Sequence, residues 1–133
     1  MKRRNIMLVA LCLLAAPSAA PAQDWAQAKR VEVDLANFKY TPNRIVLRHG
    51  QPYVLHFVNQ AHGGHNFVAR TFFESAHVER ADGSKVAAGE VDLDGGESLD
   101  VRLVAPASAG IFPVRCSHFM HEAFGMKGQI EVQ

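Results

Sequence analysis

Apolar and polar residues alternate along most of this chain, and that period of two is the strongest limit on what it can fold into. In Val31-Glu32-Val33-Asp34-Leu35 every second residue is apolar. From Tyr53 to Asn59, one face holds Tyr53, Leu55 and Phe57, and the other Val54, His56 and Val58. Leu99, Val101 and Leu103 oppose Ser98, Asp100 and Arg102, a run from Ile45 to Arg48 ends at His49-Gly50, and Ile130 and Val132 close the chain. Successive side chains of a strand point to opposite faces, so each run has one face for a core and one for water. Turn residues separate the runs, as at Pro42, Asp82-Gly83-Ser84 and Asp94-Gly95-Gly96. The pattern predicts an all-β, antiparallel Greek-key sandwich or barrel of roughly seven or eight strands. Thr71 to Val78 is the one stretch that reads as a helical turn. It lies in an insert, residues 69–97, to which the sequence assigns no role.

The first 22 residues stand apart. Lys2, Arg3 and Arg4 precede an apolar run from Ile6 to Ala16, and Ala20 and Ala22 supply small residues before a cleavage site. This is the layout of a secretory leader cut after Ala22, and its apolar run is too short to span a bilayer. The expected mature domain is therefore 23–133, exported, periplasmic and without stable membrane association. The leader takes three of the 14 basic residues and none of the 13 acidic ones. Eleven basic residues against thirteen acidic leave the domain slightly negative, with no basic run to suit a nucleic acid. Of the two cysteines, Cys12 goes with the leader, so Cys116 is a lone thiol in an oxidising compartment. Such a thiol pairs with another chain, acts as a nucleophile, binds a metal or lies inert in a core.

Its surroundings narrow the choice. In Gly110-Ile111-Phe112-Pro113-Val114-Arg115-Cys116, period two puts Phe112, Val114 and Cys116 on one side, so Cys116 faces inward at the strand's end. Pro113 lacks an N–H, which requires an edge or a bulge there. The next residues run Ser117-His118-Phe119-Met120-His121-Glu122-Ala123-Phe124-Gly125-Met126. A thiol, imidazoles and thioethers are soft or borderline donors, which suit copper far better than calcium, magnesium or structural zinc. One loop cannot surround an ion, and Ala61-His62-Gly63-Gly64-His65-Asn66-Phe67 offers a ligand from elsewhere. Two His, one Cys thiolate and a weak axial Met define a blue copper site. His65, Cys116, His121 and Met126 are the candidates. His65 is favoured over His62, and His121 over His118. His62 reads as a loop tip, His118 as a neighbour of the site, and His49, His56 and His77 as surface residues.

These features resemble the cupredoxins, the plastocyanin- and azurin-like small copper proteins. Phe38-Lys39-Tyr40-Thr41-Pro42 with Ile45, Leu47 and Gly50 is similar to the family's opening strands. His65-Asn66-Phe67 resembles its first copper histidine, and Gly110 to Cys116 its strand into the copper cysteine. His121 and Gly125-Met126-Lys127-Gly128 match its second histidine and axial methionine. The likeness spans Val31 to Val132, and it departs between cysteine and histidine, where His118, Phe119 and Met120 stand in place of the usual Pro or Gly. The resemblance implies one copper ion cycling between Cu(II) and Cu(I), in a monomeric, non-enzymatic electron carrier with a transient redox protein partner. Asn66 would tie the first loop to the backbone beside Cys116, and the carbonyl of Gly64 would approach the ion opposite Met126. Phe119, Met120 and Phe124 would form an apolar docking patch around His121. The alternative is a periplasmic protein that binds and delivers copper, served by His62, His118 and Met120. A cysteine nucleophile with a histidine base is a third class, for which no oxyanion arrangement can be read.

Overall fold

A computed structural model describes residues 22–133. The proposed leader, apart from Ala22, lies outside the described residues. Ten strands make two five-stranded sheets. They are β1 (Lys29–Ala36), β2 (Lys39–Thr41), β3 (Arg44–Leu47), β4 (Pro52–Asn59), β5 (His65–Val68), β6 (His77–Val78), β7 (Glu90–Leu93), β8 (Ser98–Val104), β9 (Gly110–Arg115) and β10 (Lys127–Val132). One sheet runs β2-β1-β4-β8-β6 and the other β3-β10-β9-β5-β7. This is the all-β sandwich that the alternation predicts, with two differences. The extra strands are short pieces, such as the two-residue β6, that leave no periodic signal. The sheets are also mixed, since β1 pairs with β4, and β3 with β10, in parallel. Both parallel pairs arise because the chain crosses between sheets, and that crossing is invisible to a local pattern.

The core lies between the sheets. Val33 and Leu35 of β1, Leu55 and Phe57 of β4, and Val101 and Leu103 of β8 face Leu47, Phe67, Val91, Leu93, Val114 and Ile130, all buried. Burying each such side chain stabilises the fold by about 1.5–3 kcal/mol, before the entropy of ordering it. Period two holds in detail. In β4 every second residue is buried, from Tyr53 to Asn59. Pro113 also meets its constraint, for β9 pairs fully with β10 through Gln129↔Pro113 but touches β5 only at Val68↔Arg115.

The insert proves structural. Its helix α1 is Arg70–Ser75 rather than Thr71 to Val78, and it buries Phe72 and Phe73. Phe72 stacks edge-on against Phe112 of β9 at 5.6 Å. β6 then pairs with β8, and β7 with β5, so the insert extends one edge of each sheet. Between them the segment Arg80–Gly89, short 3-10 turns interrupted by non-helical backbone at Val86, Ala87 and Ala88, contains Asp82, read from sequence as a turn residue and found buried. Its carboxylate accepts from Arg102 Nε at 2.7 Å, from the Arg102 backbone N–H at 3.0 Å and from Lys85 Nζ at 2.7 Å. This side chain adds to the β6–β8 pairing in tying the insert to β8.

Candidate metal centre

Three donors converge at one end of the sandwich. His65 opens β5, Cys116 follows the last residue of β9, and His121 sits in the loop that leads to β10. The Nδ1 atoms of His65 and His121 are 3.1 Å apart, and Cys116 Sγ lies 3.5 Å from His121 Nδ1. All three donor atoms fall within 4.8 Å of one another. Trigonal donors about 2.0–2.3 Å from a first-row ion sit about 3.5–3.7 Å apart, so this cluster fits one ion with little movement. Among the described residues it is the one group of three or more His, Cys, Asp or Glu side chains so arranged.

Each donor is held by its strand or loop. His65 is 1% exposed and Cys116 fully buried, while His121 is half-buried. Burial first, then the nearby imidazoles of His121 and His118, lowers the pKa of His65 below its ordinary value. A ring kept neutral is ready to bind a metal. Asn66 joins the two halves of the site. Its Oδ1 accepts from the Ser117 backbone N–H at 2.8 Å, and its Nδ2 donates to Ser117 Oγ at 2.7 Å. The Asn66 carbonyl in turn accepts from Tyr40 Oη at 2.6 Å. Burial and the neighbouring Cys116 raise the pKa of Tyr40, which keeps its hydroxyl a donor.

The cysteine loop closes on itself. The Cys116 N–H donates to the Met126 carbonyl at 3.1 Å, and the Met126 N–H to the His121 carbonyl at 2.9 Å. Met126 is fully buried. Gly125, at φ 103°, turns the chain towards β10 in a conformation that glycine tolerates best. Gly64 lies under His118, where a Cβ would come within 3.4 Å of that ring. His118 itself is half-buried, with its ring centroid 5.5 Å from that of His121 and 6.3 Å from that of His65. Its Nε2 is 3.8 Å from Asp92. His62, His49 and His77 are exposed, whereas His56 is half-buried, with Nδ1 2.6 Å from Asp100.

Several residues at the site escaped sequence reasoning. Buried Asn59 points its Nδ2 at the carbonyls of Gly63, Leu93 and Asp94, at 2.9–3.2 Å, and so anchors the loop that carries His65. The β1–β2 turn brings Asn37 and Phe38 to the two histidines. Phe38 adopts φ 60°, an unusual value for a bulky residue, and holds its ring edge-on against His121 at 5.2 Å and Phe124 at 5.4 Å. No local period marks where this turn leads. Phe38, Phe119, Met120 and Phe124 are exposed apolar side chains, 43%, 89%, 46% and 62%, and Phe38 links His121 to Phe124.

The family of copper binding proteins described as plastocyanin/azurin matches residues 27–133. The chain belongs to that family. This cupredoxin resembles several solved auracyanins. One, from the photosynthetic bacterium Roseiflexus castenholzii and reduced with dithionite, shares 21% identity at a TM-score of 0.58, over 80% of this chain and 98% of that one. Auracyanin B shares 24% identity at a TM-score of 0.56, over 80% and 89%. Auracyanin A, a "blue" copper protein of Chloroflexus aurantiacus, shares 18% identity at a TM-score of 0.54, over 78% and 99%. At these identities the likeness concerns the fold. No curated protein matches the chain significantly in sequence. The family's cofactor is a single copper ion, and the donor set here, one thiol and two imidazoles, suits it.

Proposed function

We propose that this cupredoxin is an exported type 1 copper protein that carries electrons, with the ion held by His65, Cys116, His121 and Met126. The observation that carries the reading is the convergence of the two Nδ1 atoms and Cys116 Sγ from two distant segments, the start of β5 and the loop between β9 and β10. Met126 would be the fourth donor, a role supported by its burial and its backbone pairing beside Cys116. When bound, copper supplies a centre that gains and loses one electron. The protein's part is to hold donors that suit both oxidation states, so that little rearranges on transfer. Strand ends fix His65 and Cys116, and the Asn66–Ser117 bonds keep the two segments in register, orienting the ligands and tuning the potential. The Gly64 carbonyl would approach the ion opposite Met126. Four protein donors leave no open position for a substrate, so the reading is of a carrier and not an enzyme.

His121, half-buried and with the Phe38 ring edge-on against it, would be the outlet for the electron. Phe119, Met120 and Phe124 form the docking patch for a transient redox protein, since small apolar contacts suit brief encounters. The residues 1–22 act as a cleaved leader, and 23–133 work as a monomer in the periplasm. Among the described residues no helix is long and apolar enough to cross a membrane. The test is an absorption spectrum and voltammetry of the copper-loaded protein. An intense blue band, a reversible one-electron wave and loss of the band in Cys116→Ser are expected. A colourless Cu(II) form of the wild type would refute the reading.

One observation favours a second reading, copper delivery. His118 places a third imidazole beside His65 and His121 at the surface. A delivery protein would pass its ion to a chelator within minutes, and His118→Ala would slow that transfer without changing the colour.

A further inference from the structure

His65 is 1% exposed, so water does not serve its ring. Its Nε2 faces Asn37 Oδ1 at 3.3 Å, while its Nδ1 faces His121 Nδ1 at 3.1 Å. A neutral imidazole has one proton to place on two nitrogens. An amide oxygen only accepts, so it selects the form protonated at Nε2 and leaves a lone pair on Nδ1. The other form fails twice. It would leave no lone pair on Nδ1 for an ion, and it would set two lone pairs, those of Nε2 and Oδ1, against each other.

We propose that Asn37 is a positioning residue for the metal centre: its side-chain oxygen fixes the Nε2–H tautomer of His65, so that Nδ1 is presented to copper before the ion arrives. The inference rests on the reading of His65 as a ligand. It makes the β1–β2 turn a third loop of the site, since the same turn steadies His121 through Phe38. Asn37 itself is exposed, and its bond to His65 contributes by selecting a tautomer more than by stabilising the fold. An acceptor on the far nitrogen also makes a metal-bound imidazole more basic. That favours Cu(II) over Cu(I), so Asn37 holds the potential down.

The test compares wild type, Asn37→Ala and Asn37→Asp. Ring nitrogen NMR of the metal-free, histidine-labelled proteins reads the tautomer directly, at a pH where the ring is neutral. Wild type is expected to show Nε2–H, the alanine variant a mixture, and the aspartate variant, which keeps an acceptor oxygen, Nε2–H again. In the alanine variant Cu(II) affinity is expected to fall about 10–100-fold with the blue band retained. Each tenfold loss that falls on Cu(II) alone raises the potential by about 59 mV. An unchanged tautomer in the alanine variant overturns the proposal, and so does a changed tautomer with wild-type affinity and potential. An aspartate variant with the tautomer mixture of the alanine variant overturns it as well. His65→Ala separates this from failure of the ligand reading. If that variant keeps full affinity and colour, His65 is no ligand, whatever its tautomer.

Discussion

Replacing Asp82 by Asn removes one charge and little volume, and the structure specifies what that change does. The carboxylate is 1% exposed and accepts from Arg102 Nε, Arg102 Nη2, the Arg102 backbone N–H and Lys85 Nζ, at 2.7–3.2 Å. Asparagine keeps one acceptor for these four donors and turns an N–H₂ towards the rest. Removing one partner of a fully buried ion pair costs about 3–5 kcal/mol. Here the side chains of Arg102 and Lys85 are 35% and 37% exposed and recover water, so the lower range of a charge-assisted hydrogen bond applies, about 1.5–3 kcal/mol. For a domain of this size that lowers Tm by about 6–12 °C. The sign with pH follows from the pKa. Burial alone would raise it, but the hydrogen bonds from Arg102 and Lys85 prevail and hold it well below the usual carboxylate range. A depressed carboxylate contributes its stability above the unfolded-state pKa and loses it as pH falls through the folded one. The wild type should therefore exceed Asp82→Asn by its full margin at pH 7, and the margin should shrink progressively below about pH 4. Thermal unfolding of both metal-free proteins between pH 7 and pH 3 reads this difference, and acid effects common to both cancel. Equal Tm values at pH 7, or a margin that stays constant down to pH 3, would refute the reasoning. The blue band of the copper-loaded variant should be unchanged, because Asp82 acts on β8 and not on the metal centre.

Three further outcomes are expected. Met126→Leu should keep the blue colour and raise the potential, by about 59 mV for each tenfold preference for Cu(II) that is lost, as voltammetry would show; an unchanged spectrum and potential would remove Met126 from the ligand set. Asn59→Ala should cost about 1–3 kcal/mol in urea unfolding, through the loss of the bonds from its buried amide to the carbonyls of Gly63, Leu93 and Asp94, and should weaken copper binding by loosening the loop before His65. Replacing Phe119 and Phe124 together by Ser should slow electron exchange with a redox partner by about tenfold for each 1.4 kcal/mol of docking energy lost, with the potential unchanged in stopped-flow and voltammetric assays.

The sequence by itself determined the sandwich and singled out the donors proposed for the metal. Alternation marks β1, β4 and β8 because a strand's two faces meet two different solvents, and that preference is written residue by residue. Cys116, His121 and Met126 are legible because one loop carries them, and the donor chemistry of a thiol, an imidazole and a thioether needs no fold to be recognised. Tertiary structure decided what meets what. Asn37 carries no signal of its own in the sequence, and Asn59 reads as the end of a strand, until the chain's crossings bring them to His65 and its loop. Asp82 reads as a turn residue until Arg102, twenty positions on, arrives beside it. The parallel pairs, and the insert's capping of both sheets, have the same origin. Hydrogen bonds and ion pairs between distant segments depend on where the backbone returns, and no local period carries that information.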